Sequence, residues 1–325
     1  MHIELRENCR ISVIIPTLNA GSEFAGLLER LHKQTLLPHE IIIIDSASDD
    51  GTVELARSAG AKVLNVLRSE FDHGGTRNMA AGQASGNILV FMTQDALPYN
   101  EFLLQALVEP LLTDEQTAYA YARQIAYPDA NAIERLAREV NYPLQSSVKS
   151  REDVPNLGIK TFFCSNVCSA IRRDIFNDMG RFTAPVIFNE DLFMAAKCIL
   201  DGGYKVAYAA EASVYHSHQY SVKQQFKRYF DNGVSMRLNE WITQYSAVGK
   251  AGSNLVRTQL NGLIKQRQWV LIPRLIIESA AKLLGYKLGL NYRKLPVSLR
   301  LRFSMHRLIW THLDSNNGAR GTFKQ

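Results

Sequence analysis

Four groups of residues carry side chains able to do chemistry: Asp95 at the end of an apolar run, the acidic pair Glu190 and Asp191, the histidines His216 and His218, and Arg77 just after two glycines. Asp95 follows Ile88-Leu89-Val90-Phe91-Met92-Thr93-Gln94, a run opened by Gly86 that reads as a strand buried on both faces. In an open α/β sheet ligands bind at the carboxyl ends of strands, so an acid there can hold a metal and, through it, a phosphate. An aspartate that merely starts a turn before Pro98 is the plain alternative. Histidines two apart on a strand point to one face, and neutral imidazole suits a metal such as Mn or a phosphate, although paired surface histidines without a role are common. Arg77 offers planar paired donors for a phosphate or base, with Gly74 and Gly75 allowing close backbone approach; a solvated arginine at a helix start is its bland reading. Glu190 and Asp191 open a helical pattern with Leu192, Phe193, Ala196 and Ile199 facing inward. The helix dipole favours acids in a first turn, so spacing alone explains this pair as capping residues.

The elements that must position these groups are legible in order. Ile11-Ser12-Val13-Ile14-Ile15 is a strand ended by Pro16, and Thr17 to Ser22 leads into a helix over 23–34 with Phe24, Leu27, Leu28 and Leu31 at helical spacing. A second strand, Glu40 to Ile44, ends in Asp45-Ser46-Ala47-Ser48-Asp49-Asp50-Gly51-Thr52, so strand, helix and strand form a right-handed parallel crossover. A helix over 52–58, a third strand over 62–66 and a small-residue helix over 79–84 follow. A dinucleotide-binding domain would need G-x-G-x-x-G after the first strand, and Pro16-Thr17-Leu18-Asn19 stands there instead. Polar clusters at the ends of strands one, two and four fit a mononucleotide pocket. Downstream come a helix over 101–112, a strand over 118–124, a polar loop region over 129–160 read as a mobile cover for the pocket, and a strand over 162–173.

Pro-Thr-x-Asn after the first strand, Asp-Ser-x-Ser-x-Asp-Gly-Thr after the second, then Thr-Arg-Asn and Gln-Asp-Ala-x-Pro together resemble the inverting glycosyltransferases of family 2, and among them bacterial rhamnosyltransferases of surface polysaccharide (O-antigen) synthesis. The likeness spans residues 11–241 and recurs in the basic tail. It implies a GT-A-type α/β domain over 1–241, a mainly parallel central sheet flanked by helices, with a C-terminal basic amphipathic helical region over 242–325. It further implies that Pro16, Thr17, Asn19, Asp45, Ser46, Arg77, Gln94 and Asp95 bind the nucleotide-sugar, that Ser165 and Asn166 approach the donor or acceptor sugar, and that Asp95, His216 and His218 hold Mg or Mn. The acid pair then becomes the catalytic centre, with Asp191 matching the family's base and Glu190 beside it. Two positions depart from the family pattern: Thr93 replaces the first metal-site acid, and Ser46 replaces the second aspartate of many uridine-using members, which is compatible with thymidine. The expected reaction is inverting transfer of L-rhamnose from dTDP-L-rhamnose to a saccharide acceptor carried on polyprenyl diphosphate. A UDP-hexose donor on the same fold is the alternative.

Composition sets the outer bounds. The 325 residues, 46% hydrophobic, exclude a disordered chain and allow a full α/β domain with an appended piece. Cys9, Cys164, Cys168 and Cys198 lack zinc-site pairing and read as reduced thiols of a cytosolic protein. Met1 to Glu7 has no basic segment followed by an apolar core, so no signal peptide is expected. The net charge of +6 is split: residues 250–307 hold twelve Lys or Arg against one acid, Glu278, leaving the remainder net acidic. Residues 269–288 are apolar but interrupted by charge, with no uncharged run near the roughly 18 residues a bilayer span needs. Such a segment suits the cytoplasmic face of the inner membrane, where anionic lipid attracts it. A helical subdomain packed on the catalytic part or on a second subunit is the alternative. Nucleic-acid binding is disfavoured because the segment has few aromatics for stacking, and an inactive scaffold because Asp95, Glu190, Asp191 and His216 are intact. Homo-oligomer formation is left open.

Overall fold

The computed structural model describes residues 9–246 and 250–313; Met1 to Glu7, read above for a signal peptide, lie outside the described residues. In chain order the elements are β1 (Ile11–Thr17), α1 (Glu23–His32), β2 (Glu40–Asp45), α2 (Thr52–Ser58), β3 (Lys62–Asn65), α3 (His73–Gly82), β4 (Ile88–Met92), β5 (Leu97–Pro98), α4 (Leu103–Thr113), β6 (Thr117–Ile125), α5 (Ala132–Asn141), β7 (Ser147–Lys149), α6 (Val154–Leu157), β8 (Cys168–Arg172), α7 (Arg173–Asp178), α8 (Glu190–Leu200), β9 (Lys205–Tyr215), α9 (Val222–Leu238), α10 (Lys250–Lys265), α11 (Ile272–Leu290) and α12 (Val297–Phe303).

One sheet organises them in the order β3-β2-β1-β4-β8-β6-β9-β5, with β7 on β9. β1 runs parallel to β2 and β4, and β2 to β3, while β8 is antiparallel to both β4 and β6. The apolar runs are buried on both faces because helices cover both. Ile11, Val13 and Ile15 of β1 meet Phe24, Leu27 and Leu31 of α1 and Leu104 and Leu107 of α4. Ile14, with Leu89 and Phe91 of β4, faces Phe193 and Ile199 of α8 on the other side. The period-two alternation of a strand sorts successive residues into the two layers.

Three expectations need correction. The strand expected over 162–173 starts only at Cys168, so Ser165 and Asn166 lie in the segment before it. The small-residue helix does not begin at Met79: α3 starts at His73, because Asp72 caps it by accepting the backbone N–H groups of Gly74 (3.1 Å) and Gly75 (2.9 Å). Gly74 is there for close approach, since a Cβ on it would sit 2.0 Å from the Thr183 carbonyl oxygen. The polar stretch over 129–160 is not an irregular loop, since it holds α5, β7 and α6. Asn131 caps α5, whose Ala132, Ile133 and Leu136 are buried against Leu263 of α10. Its amphipathic stripe is short enough to be lost among prolines and charges.

The C-terminal helices pack onto the α/β part. Gly285 and Gly289 of α11 let its backbone press against α9, where Cβ atoms would stand 2.3 Å from the Phe226 oxygen and 2.1 Å from the Phe230 oxygen. Leu275, Glu278, Gly285 and Gly289 form the buried face of α11. Ile276, Ile277, Leu283 and Leu284 lie on the opposite, exposed face.

Candidate active site

The β1 and β2 ends are tied together by Asp45. Its carboxylate accepts the Thr17 hydroxyl (2.8 Å), the Ser48 hydroxyl (2.6 Å) and the Ser48 backbone N–H (2.8 Å), and it is buried. Asn19, in the left-handed region that asparagine tolerates (φ 47°), accepts the Asp49 N–H through its side chain while its own N–H donates to Ser48 Oγ (2.8 Å). Gln94 clamps Leu18, accepting its N–H at 2.8 Å and donating to its carbonyl at 3.2 Å. These three side chains hold the loops in shape. Pro16, Thr17, Ser46, Arg77, Gln94 and Asp95 line a cavity of about 610 Å³, whereas the buried Asp45 and the exposed Asn19 are not part of its lining. The Ser46 hydroxyl is buried and has no hydrogen-bond partner among the described residues.

β4 carries Asp95 to the same place that the segment after β9 carries His216 and His218. Asp95 Oδ2 is 3.5 Å from His216 Nε2 and 3.2 Å from His218 Nε2, and the three ligand atoms lie within 4.8 Å of one another. The strand ends at Tyr215, one residue before the first histidine, yet both side chains reach one carboxylate. Gln124 on β6 settles the tautomer. Its Oε1 accepts from His216 Nδ1 (2.9 Å) and from Arg138 of α5, while its Nε2 donates to Tyr142 Oη (2.6 Å) and Ser165 Oγ (2.9 Å). Since arginine can only donate, the amide oxygen must face both groups, Nδ1 must carry the proton, and Nε2 turns a lone pair toward Asp95. Burial lowers the pKa of His216, and burial followed by the charge of His216 takes His218 down to about 4, so both are neutral near pH 7. Burial alone would raise Asp95, but in the acid range where the two imidazoles take up protons, the contact with His216, then Thr93 and the charge of His218 hold its pKa well below the ordinary carboxylate range. Two neutral nitrogens and a carboxylate this close together could hold a divalent cation.

The acid pair opens α8 after Asn189, which also adopts the left-handed region (φ 69°). Asn166 fixes both acids. Its backbone N–H donates to Asp191 Oδ2 (3.0 Å) and its Nδ2 to Glu190 Oε1 (3.1 Å), while its Oδ1 accepts from Tyr119 Oη (2.6 Å) and Ser169 Oγ (2.7 Å). Arg77 is buried rather than solvated: one amino group lies 3.3 Å from Glu190 Oε1 and 2.9 Å from the His73 carbonyl. Burial first, and the neighbouring charge of Glu190 second, raise the Asp191 carboxyl to about 7. An acid with that affinity for protons can accept one at neutral pH. Asp191 lines a second cavity of about 330 Å³ together with Glu190, Ser165, Asn166 and His216. The two cavities share Arg77, Thr93, Asp95, His218 and Arg228.

Sequence reasoning missed Arg228. On α9 its guanidinium lies over the Phe188 ring (5.2 Å) and the Tyr220 ring (5.5 Å) and borders both cavities. Nothing in its spacing separates it from Lys223 or Lys227 on the same helix. His73 and Phe188, stacked at 5.3 Å, also border both cavities. Gln124 and Arg138 went unread because their role depends on pairing across 14 residues of chain.

Residues 12–180 match the family described as glycosyl transferase family 2. The chain is 40% identical over 308 residues to the O-antigen chain rhamnosyltransferase RfbN of Salmonella typhimurium, covering 94% of this chain and 97% of that protein. It is 41% identical over 306 residues to the O-antigen chain rhamnosyltransferase WbaN of Salmonella anatum, covering 93% and 96%. Among solved structures, the mannosyltransferase PcManGT of Pyrobaculum calidifontis in complex with GDP-Man and Mn²⁺ superposes with a TM-score of 0.61 at 16% identity, covering 89% of this chain and 88% of that one. Glucosyl-3-phosphoglycerate synthase of Mycobacterium tuberculosis in complex with Mg²⁺ and UDP gives 0.52 at 19% identity, covering 77% and 83%. At these identities the likeness is one of fold, and it is the GT-A fold expected from the sequence.

Proposed function

The chain belongs to glycosyl transferase family 2, and from that premise we propose that it transfers L-rhamnose from dTDP-L-rhamnose to a lipid-linked saccharide in surface polysaccharide synthesis, with inversion at the anomeric carbon. The observation that carries the chemistry is the junction of the two cavities, with Asp191 in the wall of one and the Asp95, His216 and His218 cluster at their shared border. The donor identity draws on the 40% and 41% identities to two proteins named as O-antigen rhamnosyltransferases.

The nucleoside diphosphate occupies the larger cavity, against Pro16, Thr17, Ser46 and Gln94. The sugar and acceptor meet in the smaller one, near Ser165 and Asn166. Asp191 accepts the proton of the acceptor hydroxyl as that oxygen attacks the anomeric carbon and the bond to the diphosphate oxygen breaks on the opposite face. Asn166 holds the Asp191 carboxylate in position, and Arg77 balances the charge of Glu190 so that two adjacent acids are tolerated in a buried site. Asp95, His216 and His218 would hold a divalent cation, which supplies positive charge to the departing diphosphate. Arg228 adds donors at the cavity border.

The catalytic work falls to residues 1–241, and residues 242–325 meet the membrane at its cytoplasmic face. No helix among the described residues is long and apolar enough to cross a bilayer. The exposed stripe Ile276, Ile277, Leu283 and Leu284, preceded by Trp269 and the 90% exposed Val270, supports a helix lying on an anionic surface.

Calorimetric titration with dTDP, UDP and GDP, each with and without Mn²⁺ or Mg²⁺, tests the donor. Tightest binding of dTDP, deepened by metal, is the expected result. Preference for UDP overturns the rhamnosyl donor, and equal affinity with and without metal overturns the role of the cluster.

A further inference from the structure

The segment after α12 leaves the helical region and returns to the donor cavity. Met305, His306, Arg307, Leu308 and Ile309 line that cavity consecutively, opposite Pro16 and Ser46 of the β-strand ends. The segment is held from both sides. On α9 the buried Asp231 accepts the backbone N–H groups of Met305 (2.7 Å) and His306 (3.2 Å) with one carboxylate oxygen, and Lys227 Nζ donates to the Ser304 carbonyl (3.3 Å). At the far end His312 Nε2 lies 2.5 Å from the Ser69 carbonyl, on the rim that also carries Arg68 and Phe71. Between these ties the His306 ring stands edge-on to His73 (5.1 Å) and Phe188 (5.2 Å), and Ile309, Trp310 and Leu313 are buried with Phe230 and Val234.

A carboxylate taken out of water and spent on two consecutive loop amides makes charge-assisted hydrogen bonds that fix backbone geometry. The residue those amides position is Arg307, exposed and facing the cavity. Four arginines line this cavity, and two are already engaged with acids: Arg68 with Asp49 (3.7 Å) and Arg77 with Glu190 (3.3 Å). Among the described residues Arg228 and Arg307 have no acid within ion-pair distance, which leaves their charge to meet an incoming anion.

We propose that Ser304 to Leu313 is the outer wall of the donor pocket, that Asp231 is the positioning residue that holds this wall, and that Arg307 is the cation it presents to the nucleoside diphosphate. The inference rests on the donor-pocket reading above and gives the basic C-terminal region a part in substrate binding besides membrane contact.

The test uses the full-length protein. In calorimetric titration Arg307→Ala should weaken binding of dTDP about tenfold, with Arg307→Lys recovering part of the loss because it restores charge without the planar fork. Asp231→Ala should raise the donor KM several-fold with kcat held within about twofold, and Asp231→Asn, which keeps an accepting oxygen, should fall between. Hydrogen exchange should show the Met305 and His306 amides losing protection in Asp231→Ala while β1 and β4 keep theirs, and residues 304–313 of the unmodified protein gaining protection when dTDP binds. Unchanged diphosphate affinity in Arg307→Ala, or no added protection over 304–313, overturns the wall. If the unmodified protein binds UDP or GDP in place of dTDP, the same comparison runs with that nucleotide, so an error in the donor is separable from an error in the wall.

Discussion

At the scale of single residues the site is a contest between burial and charge, and Asp191 shows which side prevails. Burial and the adjacent Glu190 make its ionised form expensive, which raises its pKa toward the working range of a general base. The acid limb of kcat/KM should therefore rise with pH through about 7. Asp191→Asn should cost on the order of 10²- to 10⁴-fold in kcat while leaving dTDP affinity intact; loss of nucleotide binding in that variant would count against the assignment. The same shift has an opposite consequence for stability. A carboxyl whose pKa is higher folded than unfolded binds more protons in the native state, so stability falls as pH climbs from the unfolded value toward the folded one. Asp191→Asn should melt higher than the unmodified protein at pH 8, with the gap narrowing in acid. Equal melting temperatures at both pH values would remove the charge-strain account.

At the scale of elements, the side chains of the candidate site are placed by contacts their own segments do not reveal. Asp95 belongs to the turn after β4, the histidines to the chain after β9, and the orienting Gln124 to β6, and a parallel pairing of β6 with β9 brings the last two together. The α9–α11 contact has the same character. Gly285 and Gly289 admit the α9 backbone, and α9 carries both Arg228 and Asp231. Gly289→Leu should force the helices apart, costing about 1–3 kcal/mol of stability and raising the donor KM through Arg228 and Asp231. A denaturant midpoint that does not move would mean that the helices can slide without penalty. The amphipathic pattern of α1 and the uniform apolar run of β4 were legible because period and hydrophobicity are local properties. The early start of α3 was not, because two adjacent glycines disguise a helix and their place in one depends on Gly74 meeting Thr183, more than a hundred residues on.

At the scale of the whole molecule, one chain combines a two-sided α/β core with a basic helical region that leaves apolar side chains in water. Residues 250–307 carry a net +11, so two copies facing each other through this region would repel, whereas an anionic bilayer would attract it. Full-length protein should sediment with vesicles containing phosphatidylglycerol and remain free of phosphatidylcholine vesicles at moderate salt. Ile277→Asp combined with Leu284→Asp should abolish sedimentation and leave dTDP affinity unchanged. Retention by nucleic acid alone would refute the lipid reading, and a dimer lost in the same variant would assign the stripe to a second copy instead.

The sequence by itself determined the fold class, the family and the positions of the acids and histidines, because strand-end clusters and apolar periodicity are written in neighbouring residues. Only the tertiary structure decided what those side chains are free to do. Asp45, Asn19 and Asn166 spend their polar atoms on other protein groups, Arg77 on Glu190, and Gln124 on turning the His216 lone pair outward. The C-terminal segment reached the larger of the two cavities by the same route. A hydrogen-bond partner is a property of three-dimensional proximity, and in this chain the partners that matter lie as many as 243 residues apart.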